Sequence, residues 1–279
     1  MASIPRCVVL EKEIGQTPLE AINVWRMAYP EYADLPATYA GRLDPMASGK
    51  LLVLLGEECK KRNAYMGLDK EYEIEVALGI STDTGDALGL AYPTEIPLET
   101  SPTTKEIKAA LSKLIGAYSV PYPEFSSKTV NGKPLFLYAL EGTLEPISIP
   151  EHIEHIYKIK VLSQKTISKT ELQKRIHETI SHAPRSEEPS KVLGADFRQD
   201  AIRTQWDSLF SELPERTFTV ITLRVSCASG TYMRTLAQRL ARELGTNGFA
   251  LSIRRTKIGK VMHLGPFTYV RDTFRHASH

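Results

Sequence analysis

Residues 39–57 read "YAGRLDPMASGKLLVLLGE". Asp44 sits between Leu43 and Pro45 and is flanked by Gly41 and Gly49, a composition that makes a stiff turn whose backbone can be closely approached. The aliphatics Leu51 to Leu55 that follow it predict a buried strand. A carboxylate in such a turn most often caps it. An ionised carboxylate held there is also placed to act as a nucleophile or base.

Outward from this stretch the chain mixes helices and strands. Thr17-Pro18-Leu19-Glu20 is a capping box with proline at the first helical position, predicting a helix to about Met27 with Leu19 and Ile22 facing the core. In "EYEIEVALGI" Tyr72, Ile74, Val76 and Leu78 alternate with Glu71, Glu73 and Glu75, the pattern of a half-buried strand. "STDTGDALG" is a turn cluster. "SPTTKEIKAALSKLIG" predicts a short helix with a stripe of Ile107, Leu111 and Leu114 that ends at Gly116. "NGKPLFLYALEG" is a turn followed by helical spacing, "HIYKIKVL" a strand.

From Ser163 to Glu215 the composition becomes polar, with Pro184, Pro189 and Pro214 interrupting amphipathic helices around Leu172–Ile180 and Ile202–Phe210. This reads as an inserted helical or mobile element in which Ile202, Trp206 and Phe210 bury one face. "TFTVITLRVSCASG" resumes as a strand. "TYMRTLAQRLARELG" is a helix with Met233, Leu236, Ala237, Leu240, Ala241 and Leu244 on one face and Gly245 as its stop. Without a regular βαβ alternation, the class is α+β.

Composition narrows the function. The 279 residues are 42% hydrophobic and 24% charged, an ordinary globular balance. Cys7, Cys59 and Cys227 are odd in number and widely spaced, which fits a reducing compartment better than a disulfide framework or a zinc site. The longest aliphatic run is "LLVLL" and no apolar run exceeds six residues, so neither a secretory signal nor a membrane span is expected, and the protein is expected in the cytoplasm. Net charge is only +2, but Arg234, Arg239, Arg242, Arg254, Arg255, Lys257 and Lys260 cluster against the single acid Glu243, a candidate phosphate-facing patch. A P-loop and a dinucleotide fingerprint are missing, and "TDTGD" lacks the spacing of a calcium loop, so no metal or cofactor is expected.

"GRLDPMASGKLLVLLGE" resembles the G-x-L-D-P-x-A-x-G signature of the TruB family, which makes pseudouridine at position 55 in the T arm of transfer RNA. "DKEYEIEVALGISTDTGDALG", "YPEFSSKTVNGKPLF", "CASGTYMRTLAQRLARELG" and "IRRTKIG" resemble its later blocks in order, so the likeness covers residues 8–162 and 217–267. It implies the pseudouridine synthase fold, a mixed, mainly antiparallel sheet flanked by helices with a central RNA-binding cleft. It also implies that Asp44 is the catalytic aspartate, that Tyr72 stacks on the target base and helps manage its proton, and that Arg234 pairs with Asp44. Lys12, Tyr39, Arg42, Tyr232, Arg254, Arg255 and Lys257 are the implied RNA contacts. The expected partner is the T arm of tRNA, acted on by a monomer without an obligate protein partner.

The pattern also departs from the family. "EKEIGQTP" keeps Lys12, Gly15 and Thr17 but has Glu13 and Pro18 in place of a proline and a serine, and the family's histidine before the aspartate is Tyr39. A lysine of the P-x-F-S block falls on Thr129, beside Lys128. Bacterial members commonly continue into a PUA-like RNA-binding domain that these 279 residues are not expected to contain. Residues 163–215 are then a candidate for part of its grip on RNA. Two roles for Asp44 stay open, attack on the sugar or removal of the 2′ proton. Two other readings also stay open, a related synthase acting on ribosomal or guide-directed RNA and an RNA-binding folding factor with a vestigial pocket.

Overall fold

The computed structural model describes residues 5–94, 100–183, 198–264 and 267–274. Part of the predicted polar excursion, residues 184–197 with Pro184 and Pro189, lies outside them.

The framework is a mixed sheet in the order β1-β3-β12-β4-β11-β10-β7, with β2 added to β3 and β13 to β12. Its strands are β1 (Cys7–Lys12), β2 (Ala37–Ala40), β3 (Ala47–Leu55), β4 (Asp69–Leu78), β7 (Gly116–Pro121), β10 (Glu151–Ser168), β11 (Thr217–Cys227), β12 (Gly248–Leu264) and β13 (Phe267–Asp272). Short hairpins stand apart from it, β5 (Ile80–Thr82) with β6 (Ala91–Pro93) and β8 (Thr129–Val130) with β9 (Lys133–Pro134). All pairings in the main sheet are antiparallel except β3 with β12. That parallel contact is close. Gly49, at φ +102°, leaves so little room that an added Cβ would lie 2.3 Å from the Arg255 carbonyl oxygen.

The unbroken aliphatic run of β3 has a packing reason. Leu51, Val53 and Leu55 bury against helix α1 (Pro18–Ala28), while Leu52 and Leu54 bury on the other side with Val9 and Ile258. A strand covered on both faces loses the polar alternation of an exposed one. Thr17 caps α1 in the predicted box, with Thr17 Oγ1 accepting from the Glu20 N–H and Glu20 from the Thr17 N–H. The expectation for Leu19 is corrected: it is 60% exposed, because Pro18, Ala21, Ile22 and Trp25 occupy the buried side.

The remaining helices are α2 (Arg62–Met66), α3 (Thr104–Ser112), α4 (Leu135–Glu141), α5 (Lys169–His182), α6 (Gln199–Glu212) and α7 (Met233–Glu243). Gly116 does not end α3; it opens β7 at φ +121°, and α3 closes at Ser112. β4 alternates as predicted at Ile74, Val76 and Leu78, but Glu71 is buried, its charge met by Lys257 at 3.0 Å. The helical region after Ser163 is not an appendage. β10 runs on to Ser168 and pairs with β11 along its length. Leu172, Ile176 and Ile180 of α5 and Ile202, Trp206 and Phe210 of α6 join the same core as β4, β11 and α7. Among the described residues no helix is long and apolar enough to cross a membrane.

Candidate active site

The turn after β2 presents Asp44, and α7 presents Arg234 from its second position. Arg234 Nε donates to Asp44 Oδ2 at 2.8 Å. Its other nitrogens are spent on carbonyls, Nη1 on Thr84 at 2.8 Å and Nη2 on Phe125 at 3.1 Å. The Arg234 side chain is 5% exposed and that of Asp44 36%, so the cation is fixed and the carboxylate stays reachable. Burial alone would depress the guanidinium; Asp44 and Asp86 outweigh it and hold Arg234 above its ordinary value.

Asp86 is a site residue that the sequence reading left in a turn. Its Oδ1 accepts from Thr84 Oγ1 at 2.7 Å and the Leu88 N–H at 2.9 Å, which turns Oδ2 to within 3.6 Å of Arg234 Nε. Burial pushes its carboxyl up to about 6, against the pull of Arg234 and Thr84. The second acid of "TDTGD" was the available signal.

Two cavities flank the Asp44–Arg234 pair. The larger, about 480 Å³, is lined by Tyr72, Lys70, Tyr39, Arg42, Tyr122, Tyr232, Arg255 and the pair itself. The other, about 430 Å³, lies against Leu88, Phe125 and Phe136, with the Arg198 guanidinium over the Phe125 ring at 4.6 Å. Tyr72 faces the larger cavity from β4, half-buried and opposite Arg255 of β12, and burial raises its phenol so that it remains protonated. Tyr232 is likewise pushed up to about 12, by burial first and then by the Asp44 charge. Arg42 donates to Ser127 Oγ at 2.5 Å and to the Tyr39 hydroxyl at 3.3 Å at the rim.

The remaining cations expected on RNA divide differently. Lys12 is 0% exposed and donates to the carbonyls of Glu13 at 2.9 Å, Ala47 at 2.6 Å and Pro45 at 3.5 Å. Arg255 is 1% exposed and donates to the carbonyls of Lys50 at 2.7 Å, Gly41 at 3.1 Å and Arg42 at 3.3 Å. The expectation that Lys12 meets phosphate is corrected: its donors are turned onto the carbonyls of Glu13 and of Pro45 and Ala47, just after Asp44. Arg255 reaches the cavity wall but spends its fork the same way. Lys12 and Arg255 therefore clamp the turn, whose own bonds run from the Ala47 N–H to the Asp44 carbonyl at 3.0 Å and from the Gly15 N–H to the Pro45 carbonyl at 2.9 Å.

Arg254 and Lys257 line neither cavity. Arg254 sits opposite Glu73 in β4 while Arg255 sits opposite Tyr72, and neighbours along a strand point to opposite faces. Arg254 pairs with Glu11 at 2.8 Å and Lys257 with Glu71, on the face away from Tyr72. The basic cluster read as one patch is split by the sheet. In its place the cavity contains Lys70, which donates to the Met66 carbonyl at 2.9 Å and Ser229 Oγ at 3.0 Å and is lowered to about 8 by burial and by Arg255.

Comparison with known proteins shows the family to which the chain is similar. Residues 35–179 match the family model described as "TruB family pseudouridylate synthase (N terminal domain)". Relatives named tRNA pseudouridine synthase B are similar over most of the chain. The one from Ralstonia pickettii is 30% identical over 94% of this chain and 64% of its own length, and the one from Aromatoleum aromaticum 32% identical over 90% and 62%. The chain thus spans less than two thirds of the length of these relatives. A chain in "Crystal Structure of a Cbf5-Nop10-Gar1 Complex" shares the fold, with a TM-score of 0.51 and 17% identity over 91% of this chain and 48% of that one.

Proposed function

The chain belongs to the TruB family of pseudouridylate synthases, and from that premise we propose that it converts uridine to pseudouridine in the T arm of transfer RNA, at position 55. The observation that carries the reading is the contact between Asp44 and Arg234, at 2.8 Å beside a cavity of about 480 Å³ walled by Tyr72 and Tyr232.

A uridine in a folded loop is out of reach at its glycosidic bond, so it is extruded into the cavity at a cost of about a few kcal/mol. Stacking on Tyr72 returns about 1–3 kcal/mol of that. Asp44 then opens the bond from C1′ to N1, by attacking C1′ or by taking the 2′ proton. The freed uracil turns and C5 bonds to C1′, which displaces Asp44 from C1′ on the first route or is accompanied by return of the proton from Asp44 to C2′ on the second; C5 then gives up its proton, and N1 gains one. Atoms and charge balance without a cofactor. Arg234 and the clamped backbone are oriented before substrate arrives, and a preorganised charge is worth more in such a pocket than in water. Burial keeps the Tyr72 phenol protonated on the cavity wall, opposite Arg255.

The test is incubation with an unmodified tRNA transcript and with a T-arm minihelix, followed by mapping of pseudouridine. Product at the T-loop uridine without a guide RNA is expected, and Asp44→Asn is expected to abolish it while RNA binding persists. Product only in ribosomal RNA, or full activity of the Asp44→Asn variant, refutes the reading.

A further inference from the structure

Helix α7 carries Arg234, yet its N-cap residue Tyr232 makes no side-chain cap of its own. The first turn of a helix leaves N–H groups without partners, and a carboxylate placed there is stabilising. Another strand supplies one. Glu154 of β10 is 0% exposed, and its Oε1 accepts from the Tyr232 N–H at 2.8 Å.

The surroundings of Glu154 tie it to the catalytic wall. His152, two residues earlier on the same strand, places Nε2 3.5 Å from Glu154 Oε1 and 3.1 Å from the Gly230 carbonyl oxygen. The His152 ring stacks on Tyr122 at 4.1 Å and meets Tyr232 edge-on at 5.6 Å, and both tyrosines line the larger cavity. On the far side Arg239 Nη1, from α7 itself, stands 3.9 Å from Glu154 Oε2, and among the described residues neither atom has a hydrogen-bond partner. A carboxylate is costly to bury without compensation. Here its partners are the first N–H of the Arg234 helix, a histidine on the tyrosine wall and an arginine one face further along that helix.

We propose that Glu154 is a positioning residue for the isomerisation: its carboxylate anchors the start of α7, and so sets the Arg234 guanidinium against Asp44 and Tyr232 against the cavity. The proposal rests on the functional reading above and adds a residue outside the motifs that point to that reading. Glu154 does not touch the substrate. It acts through the helix end.

The experiment compares wild type, Glu154→Gln, which keeps an acceptor for the Tyr232 N–H but not the charge, and Glu154→Leu, which keeps neither. Single-turnover pseudouridine formation at saturating enzyme and tRNA affinity are measured separately. In the full chain, the exchange of the Arg234 Nε–H with water is followed by NMR. Glu154→Leu is expected to lower the rate constant by about tenfold or more with affinity within about twofold, and to speed the Arg234 exchange. Glu154→Gln is expected to fall between it and wild type, and it carries the test if Glu154→Leu does not fold. A folded variant with the wild-type rate constant and unchanged Arg234 exchange, or a loss confined to affinity, overturns the proposal. If wild type makes no pseudouridine, the functional reading fails, and the Arg234 exchange still decides whether Glu154 positions the guanidinium.

Discussion

Arg234 and Asp44 stand 190 residues apart in the chain and 2.8 Å apart in space, and the rest of the Arg234 fork is held by the Thr84 and Phe125 carbonyls. A lysine has the charge but not the planar fork. Arg234→Lys is therefore expected to lower the single-turnover rate constant by about a hundredfold, with tRNA affinity changed by less than about threefold. Rate constants at saturating enzyme, measured beside filter-binding affinities, check this.

Asp86 sets a pH dependence. With its carboxyl pushed up to about 6 by burial, it is charged at pH 7.5 and helps hold Arg234, and it takes a proton as pH falls below 6. The rate is expected to decline through that region, and Asp86→Asn to remove the limb at a lower plateau. The stability term runs the other way. A folded value raised above 3.8 means that the folded state holds the extra proton, so this contribution is full below about 4 and is lost as pH rises through 6. A pH–rate profile and urea midpoints from pH 4 to 8 read both effects.

Lys12 behaves as a buried base. Burial lowers it from 10.5 to about 8, in spite of the nearby Asp44 charge. Between these values the unfolded chain binds the proton and the folded one does not, so the contribution of Lys12 to stability rises with pH across that window, by up to about 3 kcal/mol. Lys12→Met is expected to unfold more easily at pH 8 because the turn loses its brace. Its deficit relative to wild type is expected to widen toward pH 10. Urea denaturation across the window checks it.

Trp206 tests whether α6 belongs to the core. It is 0% exposed, with its ring centroid 5.5 Å from that of Phe210 and 5.4 Å from that of Phe249 in β12. Trp206→Ala is expected to cost about 3–5 kcal/mol. Cooperative unfolding at a lower urea midpoint, seen both by far-ultraviolet dichroism and by catalytic activity, is the expected result. A loss limited to local helicity would make residues 163–215 an independent element.

Much of the local structure was legible. The Thr17 box, the alternation of Ile74, Val76 and Leu78 and the α7 face from Met233 to Ala241 are short-range patterns, and burial follows them. Leu19 and Glu71 escaped, because α1 turns Leu19 outward and Lys257 lets Glu71 be buried beside it. Asp86 was visible as a second acid without a partner to give it meaning. Glu154 left no trace, being an acid among the alternating residues of β10 whose importance depends on the helix packed against it.

The sequence by itself determined many of the strands and helices, since periodicity and caps are carried by neighbours in the chain, while Asp44, Tyr72 and Arg234 came together as a set only through the likeness to the TruB family. Only the tertiary structure decided what the cations do. Lys12 and Arg255 became backbone clamps at 0% and 1% exposure, and Arg254 and Lys257 were turned to the far side of the sheet. The physical reason is that a lysine or arginine has the same charge and reach wherever it stands. Whether it meets a phosphate, a carboxylate or a row of carbonyls depends on the strand face it occupies and on which distant segments close over it.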